Sequence, residues 1–126
     1  MEFLAPETAD DVVEIVKVAL ANEAPLAVNG NRTLDGLGRP VTATKGLSTR
    51  APSGVHFYEP SELVVSLAPG TTMRELTDLL DQNGQELAFE PIDYGALFGH
   101  EPLSGTVGGM VAINAAGPRR IKAGAA

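Results

Sequence analysis

The spacing of apolar positions changes along this chain, and each change marks an element. From Thr8 the spacing is helical: Val12, Ile15, Val16, Ala19 and Leu20 share one face, with Glu14 and Lys17 off it. Thr8-Ala9-Asp10-Asp11 supplies a capping box, with Thr8 as N-cap and Asp11 in the usual place of Glu. Pro25 stops this helix, and Leu26-Ala27-Val28 reads as a short buried strand. Val41-Thr42-Ala43-Thr44 reads as another. Val55-His56-Phe57-Tyr58 and Leu63-Val64-Val65-Ser66-Leu67-Ala68 predict two more strands, turning at Glu59-Pro60-Ser61-Glu62. Pro69-Gly70 ends the second of these. Thr72-Met73-Arg74-Glu75 is a full capping box, followed by a helix whose Met73, Leu76, Leu79 and Leu80 form the buried face. Asn83-Gly84 is its stop signal, Glu86-Leu87-Ala88-Phe89 reads as a strand, and residues 91–103 read as loop.

The predicted order is helix, strand, glycine loop, strands, helix, strand, glycine turn, helix. This is an α+β fold of mixed α/β layers, with a small sheet flanked by helices. No internal repeat or low-complexity linker interrupts it. The closing residues Lys122-Ala123-Gly124-Ala125-Ala126 form neither a cap nor a polar tail. The chain is therefore expected to be a piece of a longer polypeptide.

Two glycine-rich bends stand out. Asn29-Gly30-Asn31-Arg32-Thr33-Leu34-Asp35-Gly36-Leu37-Gly38-Arg39-Pro40 follows the first predicted strand. Gly105-Thr106-Val107-Gly108-Gly109 runs into the small-residue stretch Met110 to Ala116 and then Gly117-Pro118-Arg119-Arg120. Bends of this composition bare main-chain N–H groups, and a phosphate oxygen can approach them without meeting a Cβ. A helix starting at the second bend would aim its unsatisfied N–H groups at the same anion. Two such bends suit a clamp on a dinucleotide. The ordinary alternatives stay open: a surface turn for the first, close helix packing through Gly108 and Gly109 for the second. The first bend does not have the G-x-G-x-x-G spacing of a Rossmann motif.

Composition narrows the ligand. The 126 residues suffice for one domain or part of one. A net charge of -7 excludes nucleic acid as a natural partner, so local amides and a few arginines must hold any phosphate. Arg32, Arg39, Arg119 and Arg120 are the candidates, each equally readable as a solvated loop residue. Aromatic content of 5% with no Trp offers no base-stacking platform. There is no cysteine, and His56 and His100 are not spaced as metal ligands, so no metal site is expected. His100 is a faint acid–base candidate, and Tyr94 is either a ligand contact or a loop anchor. No carboxylate pair, G-x-S-x-G elbow or Walker loop is present. The N-terminus lacks a basic region followed by an apolar run, and the stretch 107–116 is too short for a bilayer. A cytoplasmic protein without direct membrane insertion is expected.

Several pieces together carry a family resemblance. Gly30…Leu37-Gly38-Arg39-Pro40-Val41, Tyr58-Glu59-Pro60-Ser61-Glu62-Leu63-Val64-Val65 and Pro69-Gly70-Thr71-Thr72-Met73-Arg74-Glu75-Leu76 resemble the FAD-binding domains of the p-cresol methylhydroxylase/vanillyl-alcohol oxidase type. Gly84-Gln85-Glu86-Leu87, Glu90-Pro91, Tyr94-Gly95, Gly105 to Ala112 and Ala116-Gly117-Pro118-Arg119-Arg120 are similar to the FAD-binding subunits of bacterial glycolate oxidases. The resemblance implies FAD as cofactor, with its pyrophosphate wrapped by both bends. Gly30, Asn31, Arg32, Thr33, Leu37 and Gly38 would form one contact set; Gly105, Thr106, Gly108, Gly109 and Asn114 would form the other. Pro69-Gly70 would turn the strand edge toward the cofactor.

The first bend carries fewer glycines than the Arg-Gly-Gly-Gly run of many relatives. It also holds no His, so non-covalent FAD is expected. The resemblance further implies a partial domain, with a first lobe over about residues 1–90 and the start of a second over about 91–126. The whole protein would oxidise a small 2-hydroxy acid, glycolate to glyoxylate, beside a second flavin subunit and an iron–sulfur subunit. The residues acting on that substrate are not identifiable in this chain, which alone is expected to be inactive. Two other readings remain: a non-catalytic assembly module that binds no FAD, and part of a related enzyme such as a D-lactate dehydrogenase.

Overall fold

A computed structural model describes residues 1–125, so of the closing tail only Ala126 lies outside the described residues. Strands β1 (Glu2–Leu4), β2 (Leu26–Asn29) and β3 (Lys45–Ser48) form a parallel sheet in the order β1-β3-β2. Helix α1 (Ala9–Ala21) is the crossover between the two outer strands. Thr8 and Asp11 complete the predicted capping box: the Thr8 hydroxyl accepts from the Asp11 amide at 3.1 Å, and the Thr8 amide donates to Asp11 Oδ2 at 2.9 Å.

Strands β4 (Val55–Glu59) and β5 (Val64–Leu67) pair antiparallel as a separate two-stranded ribbon. A 3₁₀ turn over Pro60–Glu62 joins them. Helix α2 (Met73–Asp81) then brings Met73, Leu76 and Leu80 into the core. Helices α3 (Val107–Ala112) and α4 (Arg120–Ala123) follow. Met110 and Ala115 close the core from the far side, with Tyr58, Val65, Leu67, Leu87 and Phe89 packed against it.

The mixed α/β layers stand as expected; four details differ. There are two small sheets rather than one. The strand expected at Val41–Thr44 lies later, at Lys45–Ser48, and Val41 is exposed. Position matters here because β3 is central. Its Gly46 lets the Phe3 ring lie directly on the backbone, where any Cβ would overlap that ring. Glu86 to Phe89 forms no strand. Leu87 and Phe89 pack on the core and the Glu90 amide bonds the Ala116 carbonyl at 3.2 Å, with Arg119 paired to Glu86 at 3.4 Å and Glu90 at 3.1 Å on the exposed side. Finally, β1 is a strand that three residues are too few to announce by periodicity.

Candidate functional site

The first bend leaves the carboxyl end of β2, the usual exit toward ligands in a parallel sheet. Its amides are unengaged: the N–H groups of Gly30, Asn31, Arg32, Thr33 and Leu34 make no hydrogen bond among the described residues. Unpaired main-chain donors in a partly buried bend need water or a ligand. Arg32 lies in the left-handed region, φ 59, which folds the bend sharply at its tip.

The second bend meets it. Gly30 packs so closely on Thr106 that a Cβ there would overlap the Thr106 hydroxyl. The Thr33 hydroxyl lies 3.4 Å from where a Cβ on Gly105 would sit. Asn31 Nδ2 donates to the Ser104 carbonyl at 2.7 Å. The amides of Gly105 and Thr106 also make no hydrogen bond among the described residues. Thr33 and Thr106 are buried, and the Thr33 hydroxyl has no bonding partner among the described residues. Two segments joined across 73 residues by the Asn31–Ser104 bond thus present one array of unengaged donors.

These residues line a cleft of about 930 Å³. Of the residues expected at the cofactor, Gly30, Asn31, Arg32, Thr33, Leu37, Gly105, Thr106 and Gly109 line it, whereas Gly38, Gly70, Gly108 and Asn114 do not. The reason is clearest for Gly108. Its amide donates to the Pro69 carbonyl at 2.9 Å, and a Cβ there would press on Pro69 at 2.9 Å. This is the close-packing alternative. Gly70 is likewise set against the 49–52 turn, donating to the Pro52 carbonyl at 2.8 Å.

The start of α3 is not an open anion site. Its Val107 amide bonds the Thr71 carbonyl at 2.8 Å, and the Gly109 amide bonds the Thr106 hydroxyl at 3.2 Å. The Met73 amide of α2 bonds the Gly105 carbonyl at 2.8 Å, so the two helix starts satisfy one another across a Thr72–Thr106 bridge. The unengaged donors sit in the bends, one step before α3.

The arginines divide similarly. Arg32 is paired with Asp35 at 2.6 Å and lies 5.2 Å from the Phe3 ring centroid. Arg119 reaches the cleft wall but is held by Glu86 and Glu90, and Arg120 donates to the Gly117 carbonyl at 3.0 Å. Arg39 lines the cleft and makes no ion pair among the described residues. His56 and His100 are exposed and outside the cleft, whereas Tyr94 lines it. Among the described residues no helix is long and apolar enough to cross a membrane.

Sequence reasoning missed three parts of the site. Asn29 Oδ1 and Ser104 Oγ are buried without a hydrogen-bond partner at the junction of the two bends. Buried orphan acceptors are uncommon and mark places where a donor is missing. Asp93 holds the wall over the cleft, taking the Gly95 amide at 3.0 Å and the Leu103 amide at 2.7 Å. The Asp-x-Gly spacing at 93–95 was the available signal for that turn.

A model of the FAD binding domain family matches residues 2–126. The chain is 38% identical over 109 residues, 86% of its length, to glycolate oxidase subunit GlcE of Escherichia coli (strain K12), of which it covers 29%. It is 28% identical over 122 residues, 96% of its length, to an uncharacterised FAD-linked oxidoreductase of Mycobacterium tuberculosis (strain H37Rv), covering 25% of that protein. The solved structure of alkyldihydroxyacetonephosphate synthase superposes with a TM-score of 0.70 at 21% identity, over 98% of this chain and 22% of that one. That likeness speaks for the fold alone, and the chain spans less than a third of each of these relatives. With the family model matching nearly every residue, the chain belongs to the FAD-binding domain family.

Proposed function

We propose that the cleft holds FAD non-covalently, its diphosphate on the main-chain amides of Gly30 to Leu34 and of Gly105 and Thr106. The observation that carries this is the run of unengaged donors facing a second bend across one cleft. The fit is good in kind: main-chain N–H groups suit an anion inside an acidic protein, where two of the three arginines lining the cleft, Arg32 and Arg119, are already ion-paired. Thr33 contributes a hydroxyl donor, and Leu37 and Gly109 supply wall. Arg39, a cleft residue with no ion pair among the described residues, would meet phosphate charge. Gly70 and Gly108 act behind this surface as packing residues, whereas Gly38 (φ 83) and Asn114 (φ 51) are exposed turn residues outside it. FAD, when bound, supplies a hydride acceptor for oxidation at a carbon bearing a hydroxyl. This chain's residues bind and orient it.

By likeness to GlcE, the whole protein would serve as an FAD-binding subunit in oxidation of glycolate or a similar 2-hydroxy acid. Its partners would be a second flavin subunit and an iron–sulfur subunit. In this reading residues 1–90 make a first lobe and residues from 91 begin a second. The exposed area supports further protein around the chain: it exposes 8312 Å², against about 6,400 Å² for a compact monomer of 13.1 kDa.

Titrating FAD into the purified chain tests the cofactor. Saturable quenching of flavin fluorescence, and yellow colour retained through gel filtration, are expected. A colourless protein with no saturable change overturns the reading and favours an assembly module. The substrate is tested on the assembled complex by glycolate-dependent reduction of an artificial acceptor; activity on D-lactate alone would assign a related dehydrogenase.

A further inference from the structure

Asn31 does more than lend its amide to the first bend. Its side chain crosses to the second bend and donates to the Ser104 carbonyl at 2.7 Å. Among the described residues this is the one directional bond between segments 30–41 and 103–110. The other cross-contacts, Gly30 on Thr106 and Thr33 near Gly105, are van der Waals approaches with no preferred orientation. Among the described residues, the bend's other hydrogen bonds and its ion pair stay within it or at its base, while Arg32 lies on the Phe3 ring and Gly36 against the Phe98 ring. The Asp35 amide bonds the Arg32 carbonyl at 3.3 Å, Arg32 pairs with Asp35, and the Thr49 amide bonds the Asn29 carbonyl at 2.8 Å.

We infer that Asn31 is a positioning residue: its side-chain bond to Ser104 fixes the two bends in the register at which their free amides share one diphosphate. The inference rests on the cofactor reading above. Its physical basis is preorganisation, since donors already held in place bind an anion without the cost of ordering the loop. The carboxamide is suited to this because Nδ2 donates to a carbonyl and brings no charge beside the phosphate.

The test compares Asn31→Ala and Asn31→Asp with the unsubstituted chain by FAD titration across pH. Asn31→Ala should weaken FAD binding about five- to tenfold, the usual worth of one hydrogen bond. Asn31→Asp keeps the shape, so it reports even if the alanine variant folds poorly. Its ionised carboxylate cannot donate and adds charge near the diphosphate, so its deficit at neutral pH should exceed that of Asn31→Ala. Relative to the unsubstituted chain, that deficit should shrink as pH falls through the carboxylate range, where the protonated acid donates again. The alanine deficit should not. Equal FAD affinity for all three proteins, or an Asp deficit insensitive to pH, overturns the inference and leaves the cofactor reading intact. Absence of saturable FAD binding by the unsubstituted chain removes both.

Discussion

Helices α1 and α2 begin with the same device and finish in different surroundings. Each opens on a Thr-capped box, and each carries an apolar stripe at helical spacing. Helix α2 buries Met73, Leu76 and Leu80, with Leu76 only 2% exposed. Helix α1 is longer, at 13 residues against 9, yet buries none of its residues, and Val16 remains 46% exposed. A stripe therefore predicts a helix but not its cover. The α2 side of the molecule is closed by its own hairpin, α3 and the 87–89 segment. The α1 side is not closed by this chain.

The strongest way to break this contrast is to truncate one residue from each stripe. Leu76→Ala should cost about 2–5 kcal/mol, since the side chain is fully packed and the site cannot collapse around the gap. Val16→Ala on α1 should stay within about 0.5 kcal/mol, as for a surface change. Urea denaturation of the purified chain measures both. Similar losses for the two variants would mean that α1 is covered in solution, for instance by a second copy.

A second comparison sharpens the division between packing and binding glycines. A Cβ at Gly108 presses on Pro69, so Gly108→Ala should destabilise by about 1–3 kcal/mol through overpacking. A Cβ at Gly30 meets the Thr106 side chain in the cradle, so Gly30→Ala should part the two bends. Its signature is loss of FAD affinity with a smaller change in the denaturation midpoint. If Gly108→Ala abolished FAD binding at unchanged stability, the assignment of that glycine to packing would fall.

Local signals were the legible part of this fold. Both capping boxes were readable because their residues lie three apart and bond one another. The hairpin was readable from its flanking β-branched residues and Pro60. Strand β3 was misplaced because Val41-Thr42-Ala43-Thr44 has the better strand composition. The strand that pairs instead carries Gly46 under the Phe3 ring, a contact between residues far apart in sequence that no local pattern announces. Glu86 to Phe89 misled for a related reason: its alternation places Leu87 and Phe89 against the core without any partner strand. In the site, the glycine bends announced themselves by composition. The bond from Asn31 to Ser104 spans 73 residues, and no local pattern carries it. Nor does composition distinguish Gly30, at the cleft, from Gly108, behind it.

The smallest expected effect concerns how the two capping boxes titrate. Hydrogen bonding from the Thr72 hydroxyl, and then from its amide, holds the Glu75 carboxyl below its usual range; the Thr8 hydroxyl and amide do the same for Asp11. A carboxyl whose pKa is lower in the folded state stabilises the fold above its unfolded pKa. That contribution is lost as pH falls through the folded value. Both groups are exposed, so solvent screening keeps the effect small. Glutamine can still accept the Thr72 amide in the box but does not ionise. Between neutral pH and about pH 3, where carboxylates titrate, the urea midpoint of Glu75→Gln should therefore fall less steeply than that of the unsubstituted chain. The corresponding change at Asp11, Asp11→Asn, should flatten the curve less if α1 adds little to the cooperative core. Parallel pH curves for Glu75→Gln and the unsubstituted chain would remove the Glu75 box from the account of α2. Equal flattening by both substitutions would instead join α1 to the cooperative unit and narrow the difference between the two layers.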